Sequence, residues 1–177
     1  MKKGAIIILI GVFLDQLTKQ LAYRLLYNPI TEIAKEIDVI PYLLKLSYHE
    51  NSAAAYGLFE GKMGLFVVVT IIALAIFGYL FKDVDFKTKR VYSISVTLFI
   101  AGTLGNFIDR IFLGFVIDFM KYPFLGLMIG NLGNFYNNFA DMYLFVAIIL
   151  FTIDLFIFEP KRQPKEVPHE EDNTSNT

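Results

Sequence analysis

The stretch MGLFVVVTIIALAIFGYLF, residues 63–81, carries no charged side chain. At about 1.5 Å of rise per residue, a helix of this length spans roughly the 30 Å hydrocarbon core of a bilayer. The whole chain has 177 residues, is 55% hydrophobic and has a mean hydropathy of +0.53. These values are typical of a membrane protein and not of a soluble domain. We therefore predict a transmembrane helix over about residues 62–82.

Three further apolar stretches predict helices over about residues 4–27, 91–111 and 139–159. The first resembles the front of a secretory signal peptide, but polar residues follow it where a cleavage site of small residues belongs, so we expect a retained helix. The predicted fold is an all-α integral membrane protein, a four-transmembrane-helix bundle in a single membrane-embedded domain, residues 1–160. Residues 161–177 are polar and predict a disordered cytoplasmic tail.

Two regions between the helices differ from the rest. Residues 37–41 and 42–48 contain β-type residues in weak alternation and predict short strands. Residues 111–130 are apolar enough to be mistaken for a fifth span. A charged and glycine-containing composition favours an interfacial or re-entrant loop there instead.

Lysine and arginine placement predicts the orientation of the bundle. Positive charges are dense at the N-terminus, in residues 82–90 and after residue 160, and sparser elsewhere. Both termini should therefore be cytoplasmic. This orientation brings most of the polar membrane residues near the outer face: Lys19, Asn106, Asp109, Asp118 and Asp141. Asp154 falls at the inner end.

Acidic residues in apolar surroundings are costly, and each is a candidate functional residue. Asp15 and Lys19 are four apart and predict an ion pair on one helix face, structural and bordering the site. Asp109 is followed directly by Arg110, and we expect an internal ion pair with a structural or orienting role. Asp118 lies in the outer loop between the third and fourth helices.

Asp118 and Asp141 have apolar neighbours and no adjacent cation. Two carboxylates that face each other in a low-dielectric site cannot both ionise easily, so one keeps its proton near neutral pH. The ionised one can activate water and the protonated one can polarise a carbonyl, as in aspartic peptide hydrolysis. Simpler readings exist: Asp118 as a solvated loop acid, and Asp141 as a favourable acid at a helix N-terminus.

Other chemistries find little support. A net charge of −1 gives no support for nucleic-acid binding, and the absence of cysteine excludes disulfides and thiolate sites. His49-Glu50 begins like a zinc-protease motif, but Ala53 stands where the second histidine belongs. We take His49 and Asp154 as structural or exposed, and expect neither a metal nor a cofactor.

Five blocks along the chain resemble, in order and spacing, the signature blocks of the lipoprotein signal peptidase (signal peptidase II) family. The blocks are Asp15-Gln16-Leu17-Thr18-Lys19, Asn51–Gly57, Gly105-Asn106-x-x-Asp109-Arg110, Val116-Ile117-Asp118-Phe119 and Asn138-Phe139-Ala140-Asp141. The resemblance covers roughly residues 1–158. It implies four helices with a small β-rich extracytoplasmic cradle in the bacterial cytoplasmic (inner) membrane.

The resemblance also implies an aspartic endopeptidase that cleaves prolipoproteins just before a cysteine carrying a diacylglyceryl group. Asp118 and Asp141 would be the catalytic pair. The residues that would bind substrate or support the site are Asp15, Lys19, Asn51, Gly57, Asn106, Asp109, Arg110 and Asn138. Asn51 on its own suits strand-end capping as well as substrate contact. The implied partners are lipid-modified prolipoproteins and membrane lipid, and we expect a monomer.

The chain departs from the family pattern at three positions. Ala53 replaces a glycine, Tyr56 replaces the commoner Trp or Phe, and Asn137 replaces a Phe. These changes bear on substrate fit and leave the two aspartates in place. The competing functions are a small proton- or ion-coupled transporter and a non-catalytic assembly subunit. The transporter is disfavoured because the acids cluster at one face and no internal repeat is visible.

Overall fold

A computed structural model describes residues 1–52, 63–129 and 135–162. Within these residues it confirms four long helices, each long and apolar enough to cross a membrane. In chain order the helices are α1 Lys2–Leu26, α2 Met63–Leu80, α3 Arg90–Phe112, the short α4 Pro123–Ile129, α5 Phe139–Ile153 and α6 Glu159–Arg162. Among the described residues, no fifth span is present.

Helical turns of other types extend two of the helices. A 3-10 turn, Phe81–Asp83, follows α2, and a π-helical turn, Asp154–Phe158, joins α5 to α6. Lys161 and Arg162 are therefore helical, whereas the sequence predicted that the tail begins at residue 161. The fourth apolar helix is continuous through the π-helical turn as far as Arg162 of α6. Residues 163–177 lie outside the described part of the chain.

Helix α3 is the centre of the bundle and packs against α1, α2 and α5. Its buried positions are mostly small or hydroxyl-bearing, which lets neighbouring backbones approach closely. A Cβ added at Gly102 would lie 2.5 Å from the Ala140 carbonyl oxygen, and one at Gly105 would lie 2.5 Å from Asp15 Oδ2. These two glycines therefore set the distances from α3 to α5 and α1.

Six short strands form two sheets in the described part of the chain, outside the long helices. β1 Tyr27–Asn28 pairs with β2 Ile33–Ala34. The other four strands are β3 Ile37–Ile40, β4 Leu44–Asn51, β5 Val116–Lys121 and β6 Tyr136–Asn137, and they form an antiparallel sheet in the order β3-β4-β5-β6. The all-α class thus describes the helical bundle only, and the short strands predicted within residues 37–48 correspond to β3 and the first part of β4.

Residues 111–129 are not the irregular loop that the sequence predicted. The segment contains β5 and α4, and β5 pairs with β4 with His49 opposite Asp118 and Asn51 opposite Val116. Pairing with β4 satisfies backbone groups that a buried loop would leave without partners. Local composition could not reveal this, because the partner strand lies far away in the sequence.

The alternation of side chains along β5 separates two environments. Ile117 and Phe119 belong to an apolar cluster with Ala22 and Leu26 of α1, and Met120 near the end of β5 belongs to the same cluster. Asp118 lies between them in the strand and therefore faces the opposite side, where α5 begins. The apolar cluster fixes β5 against α1 and so fixes the direction of the Asp118 carboxylate.

We predict that Gly102→Ala lowers the free energy of unfolding by about 1–3 kcal/mol, because the new methyl group overpacks the α3–α5 contact. Gly78→Ala is the matched control, since a Cβ at Gly78 meets nothing within 4 Å. That variant should stay within about 1 kcal/mol of wild type. Thermal unfolding in detergent measures both, and equal stability of the two variants would contradict the packing role of Gly102.

Candidate active site

Asp141 is held by the first turn of α5. Asn138 is the N-cap residue, and its Oδ1 accepts a hydrogen bond of 3.0 Å from the Asp141 backbone N–H. In return, the Asn138 backbone N–H donates to Asp141 Oδ2 at 3.2 Å. This reciprocal capping box satisfies two amide groups that the helix leaves free. Asp141 therefore has a fixed position relative to Asn138.

The side-chain amide of Asn138 connects α5 with β5. With its oxygen engaged in the cap, Nδ2 donates to Asp118 Oδ1 at 2.7 Å, and it also lies 3.1 Å from Asn106 Oδ1 and 3.2 Å from the Ile117 carbonyl oxygen. Asn138 is fully buried. One asparagine thus places Asp118 and Asp141 on its two sides, although they come from a strand and a helix.

The remaining carboxylate oxygens of the two acids also accept hydrogen bonds from asparagines. Asp118 Oδ2 accepts from Asn51 Nδ2 at 2.9 Å, and Asp141 Oδ1 accepts from Asn106 Nδ2 at 2.7 Å. Asp118 is only 1% exposed. Burial, and after it the negative charge of Asp141, raises the pKa of Asp118 to about 7, against the opposing effect of the asparagine hydrogen bonds.

Lys19 lies close to the two acids, and each N–H of its ammonium group donates a hydrogen bond. Its Nζ is 2.8 Å from Asp15 Oδ2, 3.0 Å from Asp109 Oδ2 and 2.9 Å from Asn106 Oδ1. An ammonium group has three donors, so these three acceptors saturate it. Asp15, Lys19 and Asp109 are at most 2% exposed. The structure thus contains the Asp15–Lys19 pair that their spacing predicted.

Asp15 and Asp109 also accept hydrogen bonds from backbone N–H groups of neighbouring elements. Asp15 Oδ1 accepts from the Ala140 backbone N–H at 2.8 Å, which connects α1 with α5. Asp109 Oδ2 also accepts from the Ile117 backbone N–H at 3.0 Å, which connects α3 with β5. The two acids therefore act as anchors for the elements that carry Asp141 and Asp118.

Gln16 belongs to this network and was not among the predicted site residues. Its Nε2 is 2.9 Å from Asp109 Oδ1 and 3.0 Å from the Gly105 carbonyl oxygen. The sequence feature that could have indicated its role is that Gln16 is an uncharged polar residue inside an apolar helix, next to Asp15. The sequence could not show which face of α1 meets α3, and so could not assign Gln16 to the site.

The ion pair expected between Asp109 and Arg110 does not form. Consecutive residues of a helix point in different directions, and the Asp109 carboxylate turns to Lys19 instead. The Arg110 guanidinium lies 5.3 Å from the ring centroid of Phe66, and Nη1 is 3.5 Å from the Asn106 carbonyl oxygen. Arg110 therefore borders the site from the side of α2.

The other predicted positions fall into three groups. Gly57, Ala53 and Tyr56 lie outside the described residues. Asn137 has a buried Oδ1 with no hydrogen-bond partner among the residues the structure describes. His49 is exposed and stacks on Tyr136, with ring centroids 4.6 Å apart. Within residues 1–52, 63–129 and 135–162, no cluster of three or more His, Asp or Glu residues is arranged to hold a metal ion.

Comparison with known proteins identifies the family of this chain. The family model for signal peptidase (SPase) II matches residues 7–157. The chain belongs to the signal peptidase II family. A lipoprotein signal peptidase of Staphylococcus aureus (strain bovine RF122 / ET3-1) is 34% identical over 163 residues, covering 90% of this chain and 93% of that protein.

A second signal peptidase II relative and two solved structures extend the comparison. The lipoprotein signal peptidase of Latilactobacillus sakei subsp. sakei (strain 23K) is 38% identical over 112 residues, 63% of this chain and 74% of that protein. A bacterial membrane enzyme solved by the in meso method at 2.3 Å resolution matches with a TM-score of 0.73 and 32% identity, covering 94% of this chain and 95% of the other. Another, at 1.9 Å resolution, matches with a TM-score of 0.69 and 31% identity, covering 89% and 95% of the two chains. The chain is therefore a multi-pass membrane protein of a protease family.

We predict that Lys19→Met lowers the free energy of unfolding by about 3–5 kcal/mol, because it leaves the buried carboxylates of Asp15 and Asp109 without a cation. Lys45→Met is the matched control: Lys45 also pairs with two acids, Glu36 and Asp38, but its side chain is 28% exposed. The control should lose no more than about 1 kcal/mol. Denaturation of the purified protein measures both, and a Lys19→Met protein as stable as Lys45→Met would contradict the account.

Proposed function

We propose that this signal peptidase II is an intramembrane aspartic endopeptidase that removes the signal peptide from diacylglyceryl-modified bacterial prolipoproteins. The cut falls just before the lipidated cysteine. The observation that carries the proposal is the pair of acids, the buried Asp118 and the partly exposed Asp141, on either side of the Asn138 amide. Membership of the family supports the class of substrate.

In the proposed reaction, Asp118 holds a proton and Asp141 is ionised when substrate arrives. Asp141 takes a proton from a water molecule, and the resulting hydroxide attacks the scissile carbonyl carbon. Asp118 donates a hydrogen bond to the carbonyl oxygen as negative charge develops there. When the C–N bond breaks, the leaving nitrogen takes the proton that Asp141 received, and the signal peptide leaves with a new carboxyl group. The raised pKa of Asp118 supports its role as the acid.

The three asparagines serve as positioning residues in this proposal. Asn51 and Asn138 hold the Asp118 carboxyl group from two directions, and Asn106 holds Asp141. Such fixed donors reduce the reorganisation that the reaction would otherwise require. Lys19 acts one step further away, by holding the Asn106 oxygen. Asp15, Asp109, Arg110 and Gly57 complete the proposed supporting set.

We place the protein in the bacterial cytoplasmic membrane as a monomer, with both termini cytoplasmic and the dyad near the outer face. Asp141 begins α5 and Asp109 lies in the last turn of α3, so the acids gather at one end of the bundle. The opposite ends carry most of the lysines and arginines, including Lys2, Lys89 and Arg162. The four-stranded sheet would then form the extracytoplasmic cradle over the site.

We predict that Asp118→Asn and Asp141→Asn each lower the rate of cleavage at least about 100-fold, since either change removes a group that moves a proton. The matched control is Asp38→Asn, because that side chain is 57% exposed and lies outside the network. The assay follows release of signal peptide from a purified diacylglyceryl-modified prolipoprotein. A non-lipidated substrate should not be cleaved, and near-normal turnover by either dyad variant would exclude the proposed mechanism.

The pH dependence follows from the proton on Asp118. The reaction needs this carboxyl group protonated, so kcat/KM should fall as pH rises above about 7, approaching tenfold per pH unit. Asn51→Ala removes a hydrogen bond that favours the ionised carboxylate, so it should move this basic limb to higher pH. Activity that stays constant between about pH 6 and 9, or a limb that moves to lower pH in Asn51→Ala, would contradict the assignment.

A further inference from the structure

A cavity with several charged residues in its walls lies at the other end of α5, away from the two acids of the site. It has a volume of about 420 Å³ and is lined by the end of α2, the start of α3 and the turn between α5 and α6. Its charged walls are formed by Asp83, Lys89, Asp154, Glu159 and Arg162. Asp154 is thirteen residues beyond Asp141 on the same helical stretch, roughly 20 Å along the axis. The peptidase mechanism uses none of these residues.

Asp154 is the unusual member of this cavity. It is 2% exposed, and its Oδ2 accepts a 2.5 Å hydrogen bond from Arg162 Nη2. Its Oδ1 is buried and has no hydrogen-bond partner among the described residues. Buried carboxylate oxygens normally accept hydrogen bonds, and in a membrane protein an unpaired one is especially costly. Asp154 therefore has one carboxylate oxygen without a donor in the described part of the chain, and the residue itself lines the cavity.

The charges around the cavity point to a ligand that carries both signs. Lys89 and Arg162 would repel a purely cationic ligand, and Asp83 and Glu159 would repel a purely anionic one. Guanidinium and ammonium side chains bind phosphate, and carboxylates bind ammonium groups. A phosphate joined to a primary ammonium by a short chain satisfies both sets of charges within the observed volume.

The position of the cavity suits a lipid headgroup. It lies at the ends of the apolar parts of α2 and α5, where a membrane-spanning helix meets the interface. Tyr92 lines it, and its hydroxyl donates to the Leu80 carbonyl oxygen at 2.9 Å, which holds the ring against the end of α2. Tyrosine rings are enriched at the level of lipid headgroups.

We propose that this cavity binds the headgroup of an aminophospholipid from the leaflet opposite the peptidase site. Lys89 and Arg162 hold the phosphate. The primary ammonium donates a hydrogen bond to Asp154 and faces the carboxylates of Asp83 and Glu159. This site does not depend on the peptidase mechanism, and its test measures lipid binding directly.

The test is native mass spectrometry of the purified, delipidated protein with phosphatidylethanolamine, phosphatidylcholine and phosphatidylglycerol of identical acyl chains. Phosphatidylcholine has a positive charge without an N–H donor, and phosphatidylglycerol has a phosphate without an ammonium group. We expect phosphatidylethanolamine to bind about tenfold more tightly than either, which corresponds to about 1.4 kcal/mol. Equal binding of the three lipids would overturn the proposal.

Two pairs of variants assign the binding to the cavity. Asp154→Asn should reduce the preference for phosphatidylethanolamine to near onefold, whereas Asp85→Asn, the same change outside the cavity, should leave it intact. Lys89→Gln should weaken the binding of phosphatidylethanolamine and of phosphatidylcholine by the same factor, and Lys87→Gln is its control. If Asp154→Asn does not fold, the Lys89→Gln result alone tests the proposal. A lysine-rich peptide that displaces the lipid from wild type and not from Asp154→Asn would assign the site to a cationic peptide and overturn the lipid proposal.

Discussion

The site depends on one buried ammonium group. Lys19 uses all three of its N–H donors on Asp15, Asp109 and Asn106, and so joins α1 to α3 inside the bundle. Because the Asn106 oxygen is engaged by Lys19, its amide nitrogen is directed to Asp141. Asn138 follows the same logic, since its oxygen caps α5 and its nitrogen is directed to Asp118. Each hydrogen bond thus determines the direction of the next.

The same interaction determines the charge balance. Lys19 lies against Asp15 and Asp109, and its charge is largely compensated by those two carboxylates. Asp118 and Asp141 are held mainly by neutral asparagines, which orient a carboxyl group without cancelling its charge. Two ionised carboxylates in such surroundings repel each other strongly, so one of them retains a proton. A buried acid beside an ionised one is the arrangement that acid–base hydrolysis of a peptide requires.

The sequence predicted those features that depend on neighbouring residues. Long uncharged stretches predicted four apolar helices, and spacing along one helix predicted the Asp15–Lys19 pair. The strand tendency of residues 37–48 was also visible, because β-type residues cluster there.

Features that depend on distant residues could not be predicted in this way. The partner of Gln16 in the network, Asp109, is 93 positions away, and Asn51 is 67 positions from Asp118. Asp109 has a neighbouring arginine that suggests the wrong partner, since sequence order does not show which helix face meets Lys19. Likewise, β5 can be identified as a strand only from its pairing with β4. The hydrogen bond of Asp154 can be identified only once Arg162 of α6 is placed beside it.

The central claim is that Asp118 carries a proton beside an ionised Asp141 near neutral pH. Infrared difference titration of the purified protein observes the C=O band of a protonated carboxyl group directly. We expect a band that disappears with a midpoint of about pH 7, that is absent in Asp118→Asn and that persists in Asp154→Asn. A titration with no such band in wild type, or with the band unchanged in Asp118→Asn, would contradict the account.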